Sequence, residues 1–226
     1  MYGINDKLMT IMQKNGFHRH LSWPQINDIH KTTIPYRIFS ATTDALVEFE
    51  KYLLINLFTH SGLPVMSPAL KNQIIDNLLE MFNNVIDHTM AKEVYVCGQV
   101  FPNKCKLYFS IVDTGTTIKE NVTSYSALKK VPVPQHCISW ATVGGNTTMI
   151  SNEPGGMGLS ILSDFISENN GAIYIISDDE YYELFEGNVN TRTIESRFIG
   201  TVVTICINLN DNNVYLIDDS NSLIYF

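Results

Sequence analysis

The sequence predicts an α+β fold, a two-layer α/β sandwich in which a mixed sheet is covered on one face by helices. Three observations lead there. Residues 67–90 carry one long helical stripe through Leu70, Ile74, Leu78, Phe82 and Val85. Residues 93–100 and 105–112 run apolar or alternating and are joined by Phe101-Pro102-Asn103-Lys104, a connection suited to an antiparallel hairpin. Residues 198–209 are rich in β-branched side chains, as strands are.

The remaining elements follow in order. Residues 5–15 read as a short helix ended by Gly16, and residues 17–40 as irregular, with Pro24 and Pro35 punctuating them. Residues 1–42 are therefore set apart as an N-terminal appendage. Thr43 precedes an apolar-periodic run that predicts a helix to about His60, stopped by Gly62 and Pro64. Residues 114–156 are a long polar stretch of Gly, Pro and Thr, and loops of that length usually carry function. A helix is expected over 157–168, closed by Asn169-Asn170-Gly171, then strands over 172–177 and 181–185. The domain proper spans 43–210, and 211–226 form a tail that reads equally as a further strand or a docking segment.

With 226 residues, 45% of them apolar and 17% charged, the chain has material for a real core. Its net charge of −8 argues against holding duplex nucleic acid by phosphate neutralisation, so no nucleic-acid partner is expected. The charge is uneven: residues 159–226 carry eleven acids against only Arg192 and Arg197, while residues 115–158 hold Lys119, Lys129 and Lys130 and six glycines. No apolar run approaches the roughly 18–20 residues of a membrane helix and no secretory signal pattern opens the chain, so no membrane partner and a cytoplasmic location are expected. Cys97, Cys105, Cys137 and Cys206 lack the spacing of a CxxC pair or a structural zinc site and read as reduced thiols.

Candidate chemistry begins on the central helix. Gln73, Asp76, Asn77, Glu80, Asn83, Asn84 and Asp87 fall within about 60° of Glu80, opposite the apolar stripe. A solvated face normally interleaves lysines at i, i+4, whereas here carboxylates and amides stand alone and offer oxygen ligands to magnesium. Glu80 lies one turn from Asn84, where a carboxylate could orient or deprotonate water beside a metal held by the amide. Asp113 ends an apolar strand and is followed by Gly115, which lets the backbone turn or approach a ligand. Gly155, Gly156 and Gly158 then lead into a helix, an arrangement that presents bare N–H groups and a positive helix end to an anion.

These elements together resemble the GHKL superfamily of nucleotide-binding domains, which includes gyrase B, mismatch-repair ATPases and sensor histidine kinases. Residues 80–88 look like its N box, 113–118 like its first glycine box, 155–161 like its second, and Gly200-Thr201-Val202-Val203 like its closing Gly-Thr element. The resemblance spans about residues 45–210 and implies a Bergerat-type fold with ATP and Mg2+ as cofactors. By position, it implies magnesium coordination by Asn84, water polarisation by Glu80, and acceptance of the adenine amino group by Asp113. Gly115 would sit against the base, Gly155, Gly156 and Gly158 near the phosphates, and Thr201 would support adenine through water. Residues 119–154 would form an ATP lid, with Lys129, Lys130 and the Gly144-Gly145-Asn146-Thr147-Thr148 cluster available to the γ-phosphate. Two positions depart from the pattern: Thr117 replaces the second glycine of the first box, and Pro154 the first glycine of the second.

Residues 1–42 are too few for a dimerising helix pair with a phosphoacceptor histidine, so a stand-alone protein is expected. It would phosphorylate a separate protein partner, as the similar anti-sigma serine kinases do, or act as a slow ATPase switch. The alternative is a catalytically inactive interaction module whose acidic C-terminal third binds a basic protein.

Overall fold

Ser67 accepts the Leu70 N–H on its hydroxyl, and Pro68 occupies the first helical position, where a missing N–H breaks no bond. Together they start α3 (Pro68–His88), the 21-residue helix that organises the molecule. Its predicted stripe is buried, with Leu70, Leu78 and Phe82 at 1% exposure or less. Each such side chain contributes about 1.5–3 kcal/mol relative to an exposed position. The computed structural model describes residues 4–148, 159–218 and 222–226.

Beneath α3 lies a five-stranded sheet of β1 (Thr33–Ser40), β3 (Glu93–Phe101), β4 (Lys106–Asp113), β6 (Asn188–Asn208) and β5 (Ala172–Phe185), in the order β1-β3-β4-β6-β5. β2 (Val65–Met66), β7 (Val214–Ile217) and β8 (Leu223–Tyr225) form a second, small sheet. The helices α2 (Thr43–Tyr52), continued by a π-helical turn over Leu53–Leu57, and α6 (Ser160–Glu168) join α3 on one face of the large sheet. Phe39, Phe49 and Phe82 meet in that core at ring separations of 4.9–6.0 Å. The α+β architecture with a helical layer on one sheet face is thus as expected.

Four expectations need correction. The large sheet is not mixed: every neighbouring pair in it is antiparallel, and the parallel pairing β2–β7 belongs to the small sheet. Residues 33–40 are not irregular but form edge strand β1, and Ile34 and Phe39 enter the core, so a boundary at residue 42 cuts through the sheet. Pro35 is accommodated where the β1–β3 register shifts between Ile34 and Arg37, and an edge strand tolerates the missing N–H. The segments 172–177 and 181–185 merge into one 14-residue strand, β5. It turns into β6 through Glu186 and Gly187 at φ +50° and +71°, the left-handed pair a tight hairpin demands. The long polar stretch contains α4 (Ile118–Lys129) and α5 (Cys137–Thr142).

The tail resolves as β7 and β8, anchored by the fully buried Tyr215, whose ring meets Phe165 edge-on at 5.1 Å. Gly200 governs the register of β4 against β6. It sits at φ +110°, and a Cβ there would lie 2.1 Å from the Asp113 carbonyl oxygen. Gly200→Ala should therefore lower unfolding stability by about 2–4 kcal/mol, read as a reduced urea midpoint with unchanged m-value.

Candidate functional site

Alternation along β4 turns Leu107, Phe109, Ile111 and Asp113 to the helix-covered face, so a carboxyl occupies the last place in an apolar row. Asp113 is 2% exposed. Its Oδ1 accepts the Gly115 N–H at 2.8 Å, and the Thr201 amide and Thr89 hydroxyl also favour its ionised form. Desolvation outweighs these donors and pushes the carboxyl up to about 6. At neutral pH it remains mainly an acceptor, held in a nearly dry place.

The cavity at Asp113 has a volume of about 90 Å³, room for several waters or the edge of a ring. Ile111 and Val203 of the sheet form its floor, Met81 and Val85 of α3 one wall, and Val122 of α4 with Trp140 of α5 the other. Asn84, His88, Asn121 and Thr148 supply polar groups around this apolar slot. An apolar cleft with a few convergent polar groups is the usual constitution of a small-molecule site. The Asn84 Nδ2 is buried without a hydrogen-bond partner among the described residues. Thr201 pairs with Asp113 across β4–β6 and also lines the cavity.

The polar face of α3 proves divided rather than uniformly solvated. Asn77 turns inward and accepts the Leu162 N–H at 2.9 Å, capping the first turn of α6, while Asn83 donates to Asp87 at 2.6 Å. Glu80 is half-buried one turn before Asn84 and does not line the cavity; burial and then the neighbouring Asp87 raise its carboxyl above the ordinary value. Burial lowers His88 against the opposing pull of Asp87, and its Nδ1 lies 3.0 Å from the Thr148 hydroxyl. His88 is thus a neutral hydrogen-bonding partner in the wall.

Compared with protein-family models and with curated proteins, the chain matches none.

Sequence-predicted residues are brought together only in part. Asn84, Asp113 and Thr201 share the cavity. Gly115 does not line it but lies two residues past Asp113, pressed so closely on the end of α3 that a Cβ would lie 2.2 Å from the Thr89 carbonyl oxygen. Lys129 and Lys130 do not join: both are exposed at the far end of α4, whose first turns form the cavity wall, and Lys129 lies over the Tyr125 ring at 5.9 Å. Gly155, Gly156 and Gly158 lie outside the described residues.

Asn121 and Trp140 escaped the sequence reading because their region looked like loop, whereas Thr148 belongs to the lid cluster read there and lines the cavity. A usable signal stands at the start of that region, for Thr117 and Glu120 form a reciprocal capping box that launches α4. The departure at Thr117 is therefore a helix cap.

A carboxyl that titrates higher in the native state than its ordinary 3.8 stabilises that state when protonated. The contribution is complete below about pH 4 and disappears as pH rises through about 6, a change of roughly 2–3 kcal/mol. Denaturant titrations across this window should show that decline in the unliganded chain and its loss in Asp113→Asn.

Proposed function

We propose that the chain is an ATP- and Mg2+-binding protein with a Bergerat-type domain, acting as a regulatory protein kinase or slow ATPase switch on a separate protein partner. The observation that carries this reading is the shared cavity of Asp113 and Asn84: a buried carboxyl acceptor and a buried amide nitrogen without a partner among the described residues, one helical turn from a carboxylate. A purine ring suits the apolar slot, and its exocyclic amino group is a further donor for the Asp113 carboxyl, whose two oxygens can accept more than the bonds they have. Thr201 stands beside it to hold a bridging water.

Magnesium is satisfied by one or two protein oxygens when phosphates and water complete its octahedron. The Asn84 amide fits that demand, since half a turn of the amide exchanges its nitrogen for its oxygen. When bound, the ion supplies neutralisation of phosphate charge. Glu80, its carboxyl raised by burial and Asp87, is the group to orient water or an attacking hydroxyl and accept its proton. Lys129 and Lys130 are dropped from the phosphate-binding set.

The reading of an inactive acidic module has less support. Asp178 is held by Arg197 in a two-bond pair, Asp179 by Lys119 at 2.7 Å, and Glu180 caps α5 through the Cys137 and Ile138 amides at 3.1 and 3.0 Å. Asp211 accepts from Asn169 and the Tyr215 hydroxyl, both at 2.6 Å. Much of the C-terminal acidity is used internally.

Calorimetry should give saturable, magnesium-dependent ATP binding that weakens at least about tenfold in both Asn84→Ala and Asp113→Asn; unchanged affinity in both rejects the site. Glu80→Ala should bind ATP with affinity within about threefold of the parent chain but lose about 100-fold or more in phosphate release or transfer. Labelled ATP incubated with the chain and the neighbouring gene's product separates the two activities: free phosphate identifies the switch, labelled partner the kinase.

A further inference from the structure

Helices shorter than about 12–15 residues are marginal on their own, and α5 has six. Neighbouring side chains hold it in place. Glu180 of β5 accepts the Cys137 and Ile138 N–H groups at 3.1 and 3.0 Å, one on each carboxylate oxygen. The Ser139 and Thr191 hydroxyls meet at 2.7 Å, and beyond the helix Asn146 donates its side-chain amide to the Trp140 carbonyl at 2.8 Å. The backbone is thus pinned on both sides of Trp140 and at Trp140 itself.

The indole held in this way is half-buried and lines the Asp113 cavity, where Met81 and Val85 of α3 form the wall opposite. Among the described lining residues it is the only ring besides the His88 imidazole. Tyr125 of α4 does not line the cavity, and its ring supports the indole at 5.7 Å with a tilt of 41°. Elsewhere the apolar lining is aliphatic, from Ile111, Val122 and Val203.

We infer that Trp140 packs its indole against the base of the bound nucleotide and makes the site prefer a purine to a pyrimidine. This rests on the ATP-binding reading and adds the residue that grips the ring. A carboxyl at one edge of a base reads its donors and nothing more. Adenine and cytosine both present an exocyclic amino group there, so Asp113 alone does not separate ATP from CTP. Stacking is different, because every base has a π-face and the larger ring system covers more of the indole. Asp113 therefore reads the amino group and Trp140 the area behind it.

Calorimetry of the full chain with ATP and CTP, which carry the same triphosphate, tests this division. The parent chain should prefer ATP, and Trp140→Ala should lower the ATP-to-CTP affinity ratio at least about fivefold. Trp140→Phe, which keeps a ring, should hold the ratio within about twofold of the parent, and Asp113→Asn should weaken both nucleotides while leaving it within about twofold. The chain has two tryptophans, and Trp23 lies after α1 (Asp6–Lys14), outside the cavity. In Trp23→Phe the indole emission therefore reports Trp140 alone, and ATP should quench it saturably with the dissociation constant that calorimetry gives. That measurement stays decisive should Trp140→Ala unfold. ATP binding with unchanged Trp140 emission, or an unchanged ratio in a folded Trp140→Ala, overturns the inference and leaves the ATP-binding reading standing. No ATP binding by the parent chain overturns both.

Discussion

Keeping the Asp113 carboxyl out of water is the constraint on which the centre of the molecule depends. A buried carboxylate must find donors, and here the backbone supplies two of them from opposite directions, Gly115 just beyond β4 and Thr201 on β6. Both approaches require bare backbone. Gly115 must pass against the Thr89 carbonyl, and Gly200 must pass against that of Asp113 itself. Two glycines, the end of α3 and the β4–β6 pairing thus meet around Asp113. Burial outweighs these donors and pushes the carboxyl up to about 6, so keeping it ionised in the dry interior costs the unliganded chain stability.

The same economy extends to the wall opposite. Three consecutive acids on β5 each hold a different element: Asp178 grips Arg197 of the hairpin, Asp179 grips Lys119 on α4, and Glu180 caps α5. Asp178 manages this from a left-handed backbone at φ +54°, at a bulge that lets neighbouring carboxylates point apart. Ser177 completes the set, accepting the Ile118 N–H at 3.0 Å and donating to the Gly200 carbonyl at 2.8 Å. The segment carrying Val122 and Trp140 is held against the sheet by charge and capping as well as by apolar packing.

Legibility in the sequence followed the strength of local periodicity. α3 was readable because Leu70 to Val85 repeat without interruption between a cap and a polar end, and the β3–β4 hairpin because its connection is short. β1 was not, since Pro35 reads as a break unless its strand is known to lie at an edge. β5 looked like two strands because Asp178, Asp179 and Glu180 resemble a charged turn, and only tertiary partners make three acids tolerable inside a strand. α4 has few apolar side chains to bury, so its capping box carried the signal that periodicity lacked. Of the site, Asp113, Asn84 and Thr201 were legible from motif spacing, whereas Trp140 reaches the cavity only through the folding of the stretch read as loop.

Charge illustrates why composition and site must be read together. The acidity of residues 159–226 looks like a surface for a basic partner when counted, yet Asp178, Asp179, Glu180 and Asp211 are all committed to internal bonds. Lys119, counted with Lys129 and Lys130 among the cations of residues 115–158, is paired with one of those acids, and Lys129 and Lys130 do not line the cavity. On the proposed nucleotide reading, phosphate charge at the Asp113 cavity would therefore not rest on lysines of the described wall. It would fall to magnesium and to backbone N–H groups, which carry no countable charge. A net −8 chain that held a polyanion in this way would need no basic patch.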